Sequence, residues 1–176
     1  MQTNVLNAAM KYGLIMGIVF SVNFLLSVSG NAIITLLGYL VVAFICVLTY
    51  RFAVAYRDKE NGGFISFGHA FFFIILLFLF AAIISSLFKF IYFRYLNVNY
   101  LPMLLEQSVS MIQQLQEQFH LSIPDDYYET MDKMMNPTAY TLQYIWVNTF
   151  LGVIMGLIIA PFVKKDKGIF DNPENK

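Results

Sequence analysis

YGLIMGIVFSVNFLLSVSGNAIITLLGYLVVAFICVLTY, from Tyr12 to Tyr50, contains no Asp, Glu, Lys or Arg. As one helix these residues would extend about 58 Å at 1.5 Å per residue, nearly twice the roughly 30 Å of bilayer hydrocarbon. In lipid every backbone polar group must be satisfied internally, and each failure costs several kcal/mol. The stretch therefore reads as two helical spans folded back on each other. Ser27, Ser29, Gly30 and Asn31 mark the turn, placing the spans at about 10–29 and 32–53.

Two further charge-free runs lie downstream. One extends from Ala70 to Phe88 and the other from Tyr140 to Val163, giving spans at about 70–92 and 140–163. Pro161 falls near the end of the last run, where a missing amide donor matters least. The expected fold is an all-α integral membrane protein with four transmembrane helices, forming a single membrane domain over 1–176. Composition agrees. Apolar residues make up 59% and charged residues 12%, against about 45–50% and 25% in soluble domains. That is too little charge to cover a soluble surface. The single cysteine, Cys46, lies in an apolar run, so no disulfide framework or cysteine metal site is available. A net charge of zero argues against a nucleic-acid partner.

Lys11, the apolar stretch after it and Ser27-Val28-Ser29 have some features of a secretory leader. The apolar run exceeds the usual leader core of about 7–15 residues, and a second span follows at once. A retained hairpin is the expectation.

With four spans, the N-terminus, the middle connector and the C-terminus share one side. That side carries Lys11, Arg51, Arg57, Lys59, Lys164, Lys165, Lys167 and Lys176, and the other only Lys89, Arg94 and Lys133. Positive residues stay in the cytoplasm, which places the termini inside and the 94–138 loop outside. Tyr92, Tyr95, Tyr140, Tyr144 and Trp146 are placed to form an interfacial belt at the outer edge.

The outer segment is too long for a bare connector. After Pro102, residues Leu104, Leu105, Val109, Ile112, Leu115 and Phe119 recur at helical spacing. A second short helix is expected from Ile123-Pro124-Asp125-Asp126 to Asn136-Pro137, with Thr138 capping the fourth span. The result is a helical hairpin. Its apolar stripe is expected to cover its own bundle or the lipid interface, with a docking face for a partner protein as the other reading.

In lipid, helices associate by close packing and hydrogen bonds. Gly13, Gly17 and Ser21 fall on one face of span one, and Asn148, Gly152, Gly156 and Ala160 on one face of span four. Their matched depths predict that spans one and four touch, with Asn23 or Ser21 bonded to Asn148. Such bonds join helices at about 0.6–2 kcal/mol each. Span interiors carry almost no ionisable residue, the usual mark of transport or proton relay. Lys89 is expected to snorkel to the headgroups and His69 to sit at the interface. His120 near Asp125 and Asp126 lacks a second histidine at ligand spacing, so no metal or cofactor is nominated. No catalytic motif is present, and the chain reads as a non-enzyme.

The inner connector is the most distinctive stretch. Tyr56-Arg57-Asp58 is followed by Gly62-Gly63-Phe64-Ile65-Ser66-Phe67-Gly68-His69-Ala70-Phe71. Gly62 and Gly63 permit a tight turn, Ser66 can cap the following helix, and Gly68 would let another backbone approach. This string resembles a bacterial membrane family found mainly in Bacteroidota, the domain of unknown function 4199 family. The early Tyr12-Gly13 with Gly17, the long outer loop and the glycine-rich last span running into Lys164-Lys165 extend the resemblance over about residues 8–168. It implies a four-helix inner-membrane protein and carries no reaction or catalytic residue.

The expected function is that of a non-enzymatic accessory, anchor or assembly partner in an envelope process. Its partners would be the lipid bilayer and another membrane protein or further copies of itself. A small transporter or channel working as an oligomer is the alternative, and it would need polar groups converging near the midplane. A membrane enzyme on a lipid-linked substrate comes third, with Asp125, Asp126 and Glu129 its only dense polar group.

Overall fold

Residues 4–120 and 122–166 are described by the structure, a computed structural model, so Lys167 and Lys176 lie outside the described residues. Six α-helices follow in order: α1 Val5–Ser27, α2 Ala32–Ala55, α3 Phe67–Ile91, α4 Tyr100–Phe119, α5 Asp125–Met134 and α6 Pro137–Val163. Four stretches are long and apolar enough to cross a membrane: Val5–Ser27, Ala32–Glu60, Phe67–Leu96 and Pro137–Val163. The protein is an all-α membrane protein with the four expected spans.

The ends of the spans follow from local chemistry. Asn4 Oδ1 accepts the Leu6 amide at 3.1 Å and starts α1. Gly30, at φ +68°, makes the turn into α2, and Asn31 Oδ1 accepts the Ile33 amide at 2.9 Å. Spans two and three both finish in one π turn, Tyr56–Glu60 and Tyr92–Leu96. Each turn opens on a tyrosine and is closed by an asparagine five residues later. Asn61 N donates to Tyr56 O at 3.0 Å, and Asn97 N to Tyr92 O at 2.8 Å. Such wide turns often mark functional positions in helices.

The chain divides into two compact units, one drawn from 4–85 with 146–166 and the other from 86–145. In the first unit α3 is the buried helix: Ala70, Phe73, Ile74, Leu77, Phe78 and Ala81 are fully covered. Both glycine faces close on it. A Cβ at Gly13 would meet Phe80 Cβ at 2.6 Å, and one at Gly17 would meet Ile84 Cβ at 2.7 Å. A Cβ at Gly152 would meet Phe78 Cβ at 2.6 Å, and one at Gly156 would meet Phe71 Cδ2 at 2.7 Å. At 3.6 residues per turn, the first set lies along one face of α3 and the second along another. The expected direct contact of spans one and four along these glycines is therefore corrected: each span packs its glycines on α3. Phenylalanine and isoleucine side chains of α3 fill the space that the missing Cβ atoms leave.

The polar residues follow the same correction. Ser21 Oγ donates to Gly17 O in its own helix at 2.9 Å. Asn23 Oδ1 accepts no hydrogen bond among the described residues, and faces α2, 3.5 Å from where a Gly38 Cβ would lie. Neither supplies the bond to Asn148 that matched depth had predicted. Asn148 is half-buried in α6, and Ala160 near its end is fully buried.

The second unit contains the expected helical hairpin. α4 and α5 are joined by Tyr128 Oη donating to Gln116 Oε1 at 2.6 Å. His120 closes α4 in the left-handed region at φ +50°. Asn136, not Thr138, caps α6, its Oδ1 accepting the Ala139 amide at 2.9 Å. The aromatic belt is half internal. Phe93 stacks on Tyr100 and meets Tyr140 edge-on, while Tyr95 stays exposed. Burial, with Tyr140 and Tyr92 adding to it, raises the pKa of the Tyr100 hydroxyl above its usual value. Lys89 does not extend outward. It is 7% exposed, with Nζ 3.2 Å from the centre of the Tyr144 ring, in cation–π geometry.

Candidate functional site

In the first unit the inner connector and the ends of the spans around it form a dense cluster of hydrogen bonds and ion pairs. Its framework is the π turn after α2. Asn61 N closes that turn on Tyr56 O, Gly63 N donates to Arg57 O at 2.8 Å, and Asn61 Nδ2 donates to Phe64 O at 2.6 Å. Gly62 at φ +73° and Gly63 at φ +84° allow the reversal, since both angles are strained for residues with a Cβ. Neither would clash, so the backbone angle alone selects glycine there.

The chain then pairs briefly with the residues after α6. Ile65 N donates to Lys165 O and Lys165 N to Ile65 O, each at 3.0 Å. Arg57 Nη1 donates to Val163 O at 2.9 Å. The last carbonyls of a helix have no partner within it and carry its negative end, so a guanidinium there is well placed. Asp58 holds the same guanidinium from the other side, at 2.7 Å from Nε. Lys11 on α1 pairs with Glu60 at 3.1 Å.

Below these bonds lies an aromatic floor. Tyr56 is fully buried and stacks on Phe73 at 4.4 Å with planes 7° apart. Its hydroxyl shares a 2.8 Å hydrogen bond with His69 Nε2, the direction set by the imidazole tautomer. Tyr12 of α1 lies 4.9 Å from Phe52 and 6.1 Å from Phe73. Ser66 Oγ accepts the His69 amide at 3.3 Å and caps α3 as expected. Gly68 departs from expectation. Among the described residues nothing lies within 4 Å of where its Cβ would be, so none of them brings its backbone close.

The connector thus fastens the ends of all four spans: Lys11 for α1, Tyr56 and Arg57 for α2, His69 for α3, and Val163 for α6. This clasp is built from the string that carries the family resemblance, and the comparison decides the family. The chain matches, over residues 11–165, the family described as protein of unknown function (DUF4199). It belongs to that family. No curated protein and no solved structure matches it.

For this member of the DUF4199 family, the connector residues named from sequence come together: Arg57, Gly62, Gly63, Ser66 and His69 lie in the clasp, with Gly68 beside it. Gly13, Gly17, Gly152 and Gly156 serve packing against α3. Sequence reasoning named Tyr56 in the connector string but missed its bond to His69, and it missed Glu60 and the Val163 carbonyl as clasp members. Tyr56 and Asn61, spaced as Tyr92 and Asn97 are, were the available signal. Chemically, the clasp offers fixed ion pairs and backbone bonds. Among the described residues no three His, Cys, Asp or Glu side chains gather as a metal ion would require.

Proposed function

We propose that this DUF4199 protein is a non-enzymatic component of a bacterial inner membrane, an accessory or assembly partner in an envelope process. In this reading the clasp faces the cytoplasm and the 94–138 hairpin stands outside, available to another membrane protein. The cationic bias supports the orientation, because Lys11, Arg57, Lys59, Lys164 and Lys165 all belong to the clasp or its neighbours in sequence.

The observation that carries the reading is how the polar groups are engaged. Arg57 caps α6, His69 is bonded to Tyr56, and Lys89 lies under the Tyr144 ring. Each is committed to a neighbour of its own. A proton relay or a solute path needs groups that exchange partners, which favours the accessory role over the oligomeric transporter.

Crosslinking in the native host, followed by purification in mild detergent, tests this. Adducts to a different membrane protein are expected, and they should disappear when the 94–138 hairpin is exchanged for a short linker. Recovery of monomer alone overturns the proposal. Adducts only to further copies of the chain also overturn it, in favour of the oligomeric pore.

A further inference from the structure

The second unit holds a cleft of about 390 Å³, within the range usual for small-molecule sites. Phe93, Leu101, Leu105 and Met135 supply apolar wall, and Arg94 and Asp132 bring opposite charges to it. Both charged residues are exposed, and neither forms an ion pair among the described residues. Phe93 and Leu101 are each 2% exposed, and Phe93 is fixed by Tyr100 and Tyr140, so the floor is formed in advance.

The position of the cleft narrows its occupant. Arg94 belongs to the last turn of the span Phe67–Leu96, and Pro137, another wall residue, is the first of the span Pro137–Val163. Two spans thus end at the cleft, and span length puts such ends at the level of lipid headgroups. Asp132 lies in the final turn of α5, whose negative end adds to the attraction for a cation.

We propose that this cleft binds the phosphoethanolamine headgroup of a membrane phospholipid, with phosphate on Arg94, ammonium on Asp132 and the glycerol end against the apolar wall. A purely anionic headgroup would leave Asp132 facing negative charge. A choline headgroup has no N–H to donate to that carboxylate. A water-soluble zwitterion would satisfy both charges but leave the apolar wall uncovered. Guanidinium and carboxylate are the groups that make strong, charge-assisted bonds to phosphate and ammonium.

Native mass spectrometry of the full chain in mild detergent, titrated with phosphatidylethanolamine and phosphatidylglycerol, tests the assignment. One phosphatidylethanolamine per chain is expected, bound about fivefold or more tightly than phosphatidylglycerol, the scale of an exposed ion pair. Asp132→Asn should erase that preference, and Arg94→Gln should weaken both lipids about fivefold. Leu105→Trp should fill the cleft and abolish retention at unchanged helical circular dichroism. If that variant loses its helical signal, Asp132→Asn decides alone, since it alters charge on an exposed side chain. No retained lipid, or equal affinity for the two lipids, overturns the proposal. Soluble phosphoethanolamine binding as tightly as the lipid overturns the lipid as its source.

Discussion

Arg57 donates to the carbonyl of Val163 at 2.9 Å, joining the end of span two to the end of span four across 106 positions of sequence. The guanidinium is mostly covered, at 17% side-chain exposure, so the bond is little screened. Arg57→Gln should lower stability by about 1.5–3 kcal/mol, the usual range for a hydrogen bond to a charged group. Thermal unfolding in detergent would show this as a drop of several degrees, while Lys59→Gln, on an exposed side chain, should leave the midpoint unchanged.

The glycine faces make a graded prediction. An alanine Cβ at Gly13, Gly17 or Gly152 meets a Cβ of α3 at 2.6–2.7 Å, and a Cβ cannot rotate away. At Gly156 the nearest atom is Phe71 Cδ2, the far part of a side chain that can turn. Gly13→Ala, Gly17→Ala and Gly152→Ala should each cost about 1–3 kcal/mol, and Gly156→Ala less. Gly68→Ala faces open space and should be neutral or stabilising by up to about 1 kcal/mol. Equal effects at Gly68 and Gly13 would contradict the packing described.

At Gly63 the prediction concerns backbone rather than space. Its φ of +84° and its open surroundings mean that Gly63→Ala should cost about 1–2 kcal/mol without any clash. Gly63→Asn should recover part of that loss, because asparagine tolerates positive φ better than alanine. Chemical unfolding of the two variants side by side gives the comparison.

These sites show what was legible in the sequence. Span number and length follow from charge-free runs, because lipid penalises every interruption; the Tyr12–Tyr50 stretch alone required a hairpin. The hairpin at 94–138 followed from helical spacing, and Gly62-Gly63 from turn chemistry. The partner of each glycine face did not follow. A small-residue stripe states that a neighbour comes close, but it does not name the neighbour, and the large side chains of α3 fit it as well as another glycine would. Lys89 was expected to snorkel because position along the span was visible, whereas the Tyr144 ring that covers it comes from a distant part of the chain. The Arg57–Val163 bond was hidden for a further reason: its acceptor is a backbone carbonyl, which any residue supplies.

Asn23 offers a test with the opposite sign. Its Oδ1 is buried against α2 without a hydrogen bond, and such a group costs about 1–3 kcal/mol. Asn23→Leu, similar in shape and apolar, should raise the unfolding midpoint. A loss of stability would mean that this carboxamide holds a partner the fold requires.

The clasp is the centre of the account, and its most direct measurement is a crosslink between its two halves. Ile65 and Lys165 exchange both backbone bonds, a geometry with Cα atoms about 5.5 Å apart and within the span a disulfide tolerates. Cysteines at both positions, in a Cys46→Ala background, should pair on mild oxidation in native membranes. Thiol labelling would then fall from two sites to none, and reductant would restore both. Persistence of two reactive thiols after oxidation would contradict the clasp.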